Sequence, residues 1–319
     1  MKPGKYETKS DYRSADTFFM KASIIIPTLN EEKTIEHCLK AVLGQKFDSD
    51  FEVVVVDSGS TDGTQKIIEK YPVVSAVIKP SDFGHGKTRD LAVGLARGEI
   101  LVFLSSDAVP ADECWLQSLL RPLERDPGVG AVYSKQQAPA TSDPVNQFRM
   151  RWMYGDLPIV KCMKGDHAFS RDMIAFSNVG SAIPRRILEK HPFRKDMKFA
   201  EDTDLAYRLL LAGYKIVYEP GAKVWHAHNH TLGFAFKFCF DVAVSYKKSG
   251  ILARMKHAEN EGGRYILEEL KFLARGKYYG WIPYALLFNF AQFFGFRVGC
   301  LESMIPRTVK KHLSLFWYS

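Results

Sequence analysis

Glu99-Ile-Leu-Val-Phe-Leu-Ser-Ser-Asp-Ala-Val-Pro110 sets an unbroken apolar run against an abrupt polar stop. A short continuous run of this kind predicts a strand covered on both faces, as in the parallel sheets of α/β proteins. Asp107 then stands just past the strand's carboxyl end, the edge along which open α/β sheets bind their ligands. A carboxylate there either holds a metal ion with the phosphates it neutralises or caps the helix expected after Pro110.

The same pattern repeats upstream. Ser23-Ile-Ile-Ile-Pro27 reads as a strand, Thr28-Leu-Asn-Glu-Glu32 as a loop and Thr34 to Gln45 as an amphipathic helix. Phe51 to Val56 is a second strand, stopped by Asp57-Ser-Gly-Ser-Thr-Asp-Gly-Thr64, and Gln65 to Lys70 is helical in character. Val73 to Lys79 is a third strand. Asp82-Phe-Gly-His-Gly-Lys-Thr-Arg89 leads into a helix over Asp90 to Arg97, with Gly98 as its C-cap. Strands alternating with helices imply right-handed crossovers, which bring Asn30, Asp57, Arg89 and Asp107 to one crevice. The glycines after Asp57 form neither G-x-G-x-x-G nor G-x-x-x-x-G-K-[ST], which excludes a dinucleotide fingerprint and a P-loop.

Downstream, Ala131 to Tyr133 is a further strand, and Asp143 to Ser170 is a long mixed segment containing Arg149, Arg151 and Trp152. Ser177 to Pro184 reads as a strand feeding a helix. Phe199-Ala-Glu-Asp-Thr-Asp204 opens a helix over Leu205 to Ala212, its three acids suiting the helix dipole. Two short strands follow, Lys215 to Tyr218 and Ala222 to Trp225, and the second runs into His226-Ala-His-Asn-His230. Histidines at alternate positions of an extended segment project to one side, an arrangement compatible with metal ligation beside a carboxylate. Beyond Thr231 the chain turns aromatic and basic, with helical spacing through Phe234 to Tyr246 and Ile266 to Leu273. Trp281 to Leu301 is the most apolar window, yet it holds Asn289, Gln292 and Arg297, so it reads as an interfacial or core helix rather than a membrane span.

The 319 residues suffice for one large domain with an appendage, and a formal charge of +8 favours anionic partners. The basic residues are dispersed and no nucleic-acid-binding signature is present, so nucleic acid is not the expected partner. Five scattered cysteines form no C-x-x-C pair, which argues against both a disulfide framework and a zinc site. Met1 to Asp16 is polar and lacks the apolar core of a signal peptide, pointing to a loose arm and a cytoplasmic location.

Taken in order, Ser23-Ile-Ile-Ile-Pro-Thr-Leu-Asn-Glu31, Val56-Asp-Ser-Gly-Ser-Thr-Asp-Gly-Thr64, Leu104-Ser-Ser-Asp-Ala108, Ala200-Glu-Asp202 and Val224-Trp-His-Ala-His228 resemble the inverting nucleotide-sugar transferases of glycosyltransferase family 2. Phe83-Gly-His-Gly-Lys-Thr-Arg89, Ser134-Lys-Gln-Gln137, Phe176-Ser-Asn178 and the tail from Arg297 to Ser314 are similar, more narrowly, to the bacterial rhamnosyltransferase branch that uses dTDP-L-rhamnose in making O-antigen and other surface polysaccharides. The resemblance implies an α/β fold of the GT-A type, a Rossmann-like, mostly parallel sheet flanked by helices. It covers residues 21–230, with an N-terminal arm over 1–20 and a helical, aromatic and basic C-terminal extension over 231–319.

The resemblance also implies roles. Asp57 would accept a hydrogen bond from the pyrimidine imide N–H, Pro27, Asn30 and Glu31 would shape the nucleoside pocket, and Arg89 would meet the diphosphate or ribose. Asp202 would be the catalytic base, His85 and Asn178 would contact the sugar, and Ser106 and Glu201 join the substrate-binding set. Asp107 with His226 and His228 would hold Mg²⁺ or Mn²⁺. The family's D-x-D pair is reduced here to one carboxylate between Ser106 and Ala108, and Asp90 stands where the rhamnosyltransferase pattern has Asn. The expected reaction moves rhamnose from dTDP-β-L-rhamnose to a saccharide acceptor, lipid-linked and met at the anionic inner face of the cytoplasmic membrane. A transferase using a UDP sugar such as N-acetylglucosamine, galactose or glucose is the alternative, and a non-catalytic membrane scaffold a remoter one.

Overall fold

The computed structural model describes residues 20–82, 85–163, 169–197, 199–255 and 259–316. Nine strands build one sheet: β1 (Ala22–Thr28), β2 (Phe51–Asp57), β3 (Val74–Val77), β4 (Ile100–Leu104), β5 (Val109–Pro110), β6 (Val129–Gln137), β7 (Ile159–Lys161), β8 (Gly180–Pro184) and β9 (Lys215–Trp225). Their order is β3-β2-β1-β4-β8-β6-β9-β5, with β7 also pairing on β9. The first four neighbours are parallel. β8 runs antiparallel to both β4 and β6, so the sheet becomes mixed in its second half.

The helices are α1 (Ile35–Leu43), α2 (Thr64–Ile68), α3 (His85–Leu95), α4 (Trp115–Arg125), α5 (Pro144–Met153), α6 (Arg185–Lys190), α7 (Glu201–Leu211), α8 (Leu232–Lys248), α9 (Ile251–Arg254), α10 (Glu259–Arg275), α11 (Ile282–Cys300) and α12 (Arg307–Leu313). The continuous apolar strands are explained by two cores. Ile24 and Ile26 of β1, with Val102 and Leu104 of β4, face α1 and α4, while Ile25, Leu101 and Phe103 face α6, α7 and α8. Alternate residues of one strand thus feed opposite layers, and neither face needs polar residues.

Three local expectations are corrected. Lys215 to Trp225 is one strand, not two: β6 pairs Ser134 with Glu219 and Lys135 with Lys223, so Pro220 and Gly221 bulge out of a ladder that then resumes. Helix α3 ends at Leu95, before the expected Arg97, and Gly98 is needed for contact rather than capping. A Cβ there would lie 2.4 Å from the Ser23 nitrogen of β1. Asp107 does not cap the following helix, because α4 begins only at Trp115 with Cys114 at its N-cap.

The C-terminal helices are continuous with this core. Val242 and Tyr246 of α8 and Ile251 of α9 join the layer that contains α7. A further cluster joins Val145 of α5, Ala235 of α8, Leu273 of α10 and Ala285 and Phe288 of α11. Helix α11 lies against α8 at backbone contact: a Cβ on Gly295 would sit 2.2 Å from the Phe236 carbonyl oxygen, and one on Gly299 2.5 Å from that of Phe240. Only glycine permits that approach.

Candidate active site

The carboxyl ends of β1 and β2 lie side by side, Thr28 opposite Asp57, and their two loops are clasped together. Asn30 takes up a left-handed backbone (φ 55°) just after Pro27 and Thr28. Its N–H donates to Ser60 Oγ at 2.8 Å and its Oδ1 accepts from the Thr61 N–H at 2.9 Å. The Glu31 N–H donates to Thr64 Oγ1 at 2.8 Å. Asp57, only 2% exposed, accepts at Oδ1 from the N–H and hydroxyl of Ser60 at 3.0 and 2.7 Å. Its other oxygen, Oδ2, is buried without a hydrogen-bond partner. A buried carboxylate oxygen left unpaired is costly, so this atom is an acceptor held ready for a donor from outside the chain.

Asp107 projects from a tight turn closed by the Ala108 N–H on the Ser105 carbonyl at 3.0 Å, with Ser106 buried at its other corner. β5 and β9 pair immediately beyond, Val109 opposite Trp225, which delivers the chain after Trp225 to Asp107. His226 Nε2 lies 3.6 Å and His228 Nε2 2.9 Å from the Asp107 carboxylate. The two Nε2 atoms are 3.1 Å apart. The histidines hold the Asp107 carboxyl well below the usual carboxylate range despite burial, and its charge in turn raises that of His228.

One carboxylate oxygen and two imidazole nitrogens within 4.8 Å of one another form a set able to ligate a divalent cation, leaving coordination positions for phosphate and water. A second interaction prepares it. His226 Nδ1 lies 3.0 Å from Gln136 Oε1, an oxygen that can only accept, so the ring proton sits on Nδ1 and the Nε2 lone pair is left for a metal. Gln136, in turn, donates from Nε2 to Ser177 Oγ at 3.0 Å. Sequence reasoning missed Gln136 and Ser177. Both stand in stretches that carry the narrower resemblance, but a neutral glutamine in a strand gives no signal of its own.

The three acids at the start of α7 have separate fates. Ala200, in a left-handed conformation (φ 56°), turns the chain into the helix. Glu201 pairs with Arg89 of α3, both nearly buried. Asp204, 1% exposed, bonds Arg208 Nε at 2.8 Å. Among the described residues Asp202 makes no ion pair: it accepts from the Thr203 N–H at 2.7 Å and, at 3.4 Å, from the Asn178 N–H. Burial, then the neighbouring Glu201, push its carboxyl up to about 6 against the pull of Arg89. Asn178 bonds Ser181 through Oδ1 and keeps Nδ2 buried and unpaired. The loop 177–179 therefore touches Asp202 through Asn178 and Gln136 through Ser177, joining the acid of α7 to the histidine cluster. His85 opens α3, and its side chain lies outside the described residues.

Comparison with known proteins gives the family. Residues 23–191 match the family model "Glycosyl transferase family 2". The chain is 31% identical over 301 residues to the O-antigen chain rhamnosyltransferase RfbN of Salmonella typhimurium, covering 93% of this chain and 95% of that protein. It is 30% identical to the O-antigen chain rhamnosyltransferase WbaN of Salmonella anatum, over 92% and 94% of the two chains. In fold it is similar to the mannosyltransferase PcManGT from Pyrobaculum calidifontis in complex with GDP-Man and Mn²⁺ (TM-score 0.60, 20% identity, 90% of this chain and 88% of that one). It is also similar to S. aureus TarS 1–349 in complex with UDP-GlcNAc (TM-score 0.52, 18% identity, 89% and 92%). The mixed sheet and its flanking helices are thus of the GT-A type, and the chain belongs to glycosyl transferase family 2.

Proposed function

We propose that the protein is an inverting, metal-dependent rhamnosyltransferase that moves L-rhamnose from dTDP-β-L-rhamnose to a hydroxyl of a lipid-linked saccharide in O-antigen synthesis. The observation that carries this reading is the chain-wide similarity to two O-antigen rhamnosyltransferases, together with a site in which each chemical task has a residue. Asp57 Oδ2 accepts from the imide N–H of thymine, and the Asn30–Glu31 loop holds the nucleoside. A divalent cation bound by Asp107, His226 and His228 would neutralise charge on the leaving diphosphate. Arg89, fixed on Glu201, lends positive charge beside Asp202 and sets the position of the α7 start.

The transfer is a single displacement. The acceptor oxygen forms its bond to C1 as the bond from C1 to the diphosphate oxygen breaks, and Asp202 takes the hydroxyl proton. A base must be ionised to act, and a value raised to about 6 combines ionisation near neutrality with a stronger pull on the proton. The unpaired Asn178 Nδ2 offers a donor to the sugar on the same side.

The acceptor's lipid would be met at an anionic membrane surface on the cytoplasmic side. Among the described residues no helix is long and apolar enough to cross a membrane. Helix α11 nevertheless exposes Leu286, Leu287, Phe290, Phe293 and Phe294 along one face, because its opposite face is clamped on α8. Residues 231–319 carry thirteen Lys and Arg against six Asp and Glu, nearly all of the chain's excess charge. An apolar aromatic face in basic surroundings suits a helix lying in the plane of anionic headgroups. Flotation with phosphatidylglycerol vesicles checks this: Phe290→Ser with Phe293→Ser should stay at the bottom of the gradient, and equal flotation of the variant would refute it.

A donor panel with and without Mn²⁺ tests the catalytic reading. dTDP-rhamnose should be consumed, and only with the cation; preference for UDP-N-acetylglucosamine, UDP-galactose or UDP-glucose would replace the rhamnosyl assignment.

A further inference from the structure

Helix α5 carries Arg149 one turn beyond Asn146 and therefore on the same face. That face lies against the segment that supplies the two histidines: the Asp143 N–H and Asn146 Nδ2 both reach Asn229 Oδ1, at 3.2 and 3.4 Å. Arg149 is half-buried, and its Nε is fully buried without an acceptor. Among the described residues it makes no hydrogen bond and no ion pair.

The acids in its surroundings are engaged elsewhere. Asp143 caps α5 by accepting from the Asn146 N–H at 2.8 Å. Glu269, 1% exposed, accepts from Asn289 Nδ2 at 2.5 Å and from the Tyr265 hydroxyl at 3.5 Å. Burial presses the Arg149 guanidinium below its ordinary range. An arginine stays charged in a protein. A partly buried guanidinium without a bonded counter-charge works against the fold, and such groups persist where an anion arrives to complete them.

We propose that Arg149 is an anion-binding residue of the cleft, its guanidinium taking the oxygens of a diphosphate that lies beside Asp107, His226 and His228. The planar fork of donors matches phosphate oxygens, and the unsatisfied Nε is part of that fork. This rests on the reading of the cleft as a nucleotide-sugar site. Two diphosphates qualify, that of the donor and that of a phosphorylated lipid acceptor.

The test is calorimetric titration of the full chain, with Mn²⁺ present, by dTDP, by thymidine and by farnesyl diphosphate, alongside melting temperatures. Arg149→Met should melt no lower than wild type, since it removes an uncompensated charge, and should bind dTDP about tenfold more weakly while thymidine binding is unchanged. Weaker binding of farnesyl diphosphate with dTDP unchanged would support the same anion site on the acceptor side. Unchanged affinity for both diphosphates would overturn the proposal, as would a lowered melting temperature with diphosphate binding intact. If the methionine variant does not fold, Arg149→Lys is read instead: weaker diphosphate binding at an unchanged melting temperature supports the site, and wild-type binding overturns it. Failure of wild type itself to bind dTDP would count against the nucleotide-sugar reading, whereas equal binding by wild type and variant counts only against Arg149.

Discussion

Replacing Gln136 by Leu should weaken the cation site without touching any residue that would ligate it. In the native chain the Gln136 amide oxygen accepts from His226 Nδ1 at 3.0 Å, and the side chain is 5% exposed. Leucine fills the space but accepts nothing. His226 then either buries an unpaired Nδ1–H, at about 1–3 kcal/mol, or moves its proton to Nε2, the nitrogen that faces Asp107. Either route subtracts from metal binding, by about 1.4–2.7 kcal/mol, which is tenfold to a hundredfold in affinity. Titration of Mn²⁺ into the dTDP-bound protein measures it. Gln136→Glu, which keeps an acceptor, should recover most of the loss, and Ser177→Ala, which removes only the partner of the Gln136 amide, should lose less. A Gln136→Leu variant with Mn²⁺ affinity within about twofold of wild type would refute the role given to the His226 tautomer.

The raised Asp202 carboxyl sets the acid side of the pH profile. Because the base acts ionised, kcat/KM should fall about tenfold per unit below a midpoint near pH 6 and level off above it; an activity still flat at pH 4 would exclude Asp202 as base. The same displacement favours the protonated form in the fold, so the group subtracts from stability as pH rises toward about 6, and Asp202→Asn should melt at or above the wild-type temperature near neutrality. Gly98→Ala would drive a Cβ into the β1 backbone and should destabilise by about 1–3 kcal/mol in urea; a neutral effect would mean that the contact between Gly98 and Ser23 relaxes freely.

What could be read from the sequence was whatever local pattern determines. The strand ends at Asp57 and Asp107 stand out because buried strands have apolar residues on both faces, so the first polar residue marks the edge of the sheet. The acids at the start of α7 were visible as a group, but their sorting was not. It depends on Arg89 and Arg208, one of them far away in the chain. Gln136 acquires its role only because β6 pairs with β9 across the sheet, a non-consecutive pairing that no local signal encodes. Pro220 and Gly221 mark a break by local rules, yet the β6 ladder continues past them. Helix α11 is apolar nearly all round, so periodicity could not say which face would be covered; Gly295 and Gly299 decide it by admitting α8 on one side. Arg149 lies in a segment without clear periodicity, and the burial of its Nε without an acceptor is a property of the packed structure alone.

The central claim is that Asp202 removes the acceptor proton in a metal-dependent transfer from dTDP-rhamnose. Its most direct test compares wild type and Asp202→Asn for rhamnose transfer and for dTDP affinity, each with Mn²⁺ and with EDTA. The account predicts transfer by wild type only with Mn²⁺, and no transfer by the variant at nearly unchanged dTDP affinity. Near-normal turnover by Asp202→Asn, or full wild-type activity in EDTA, would contradict it.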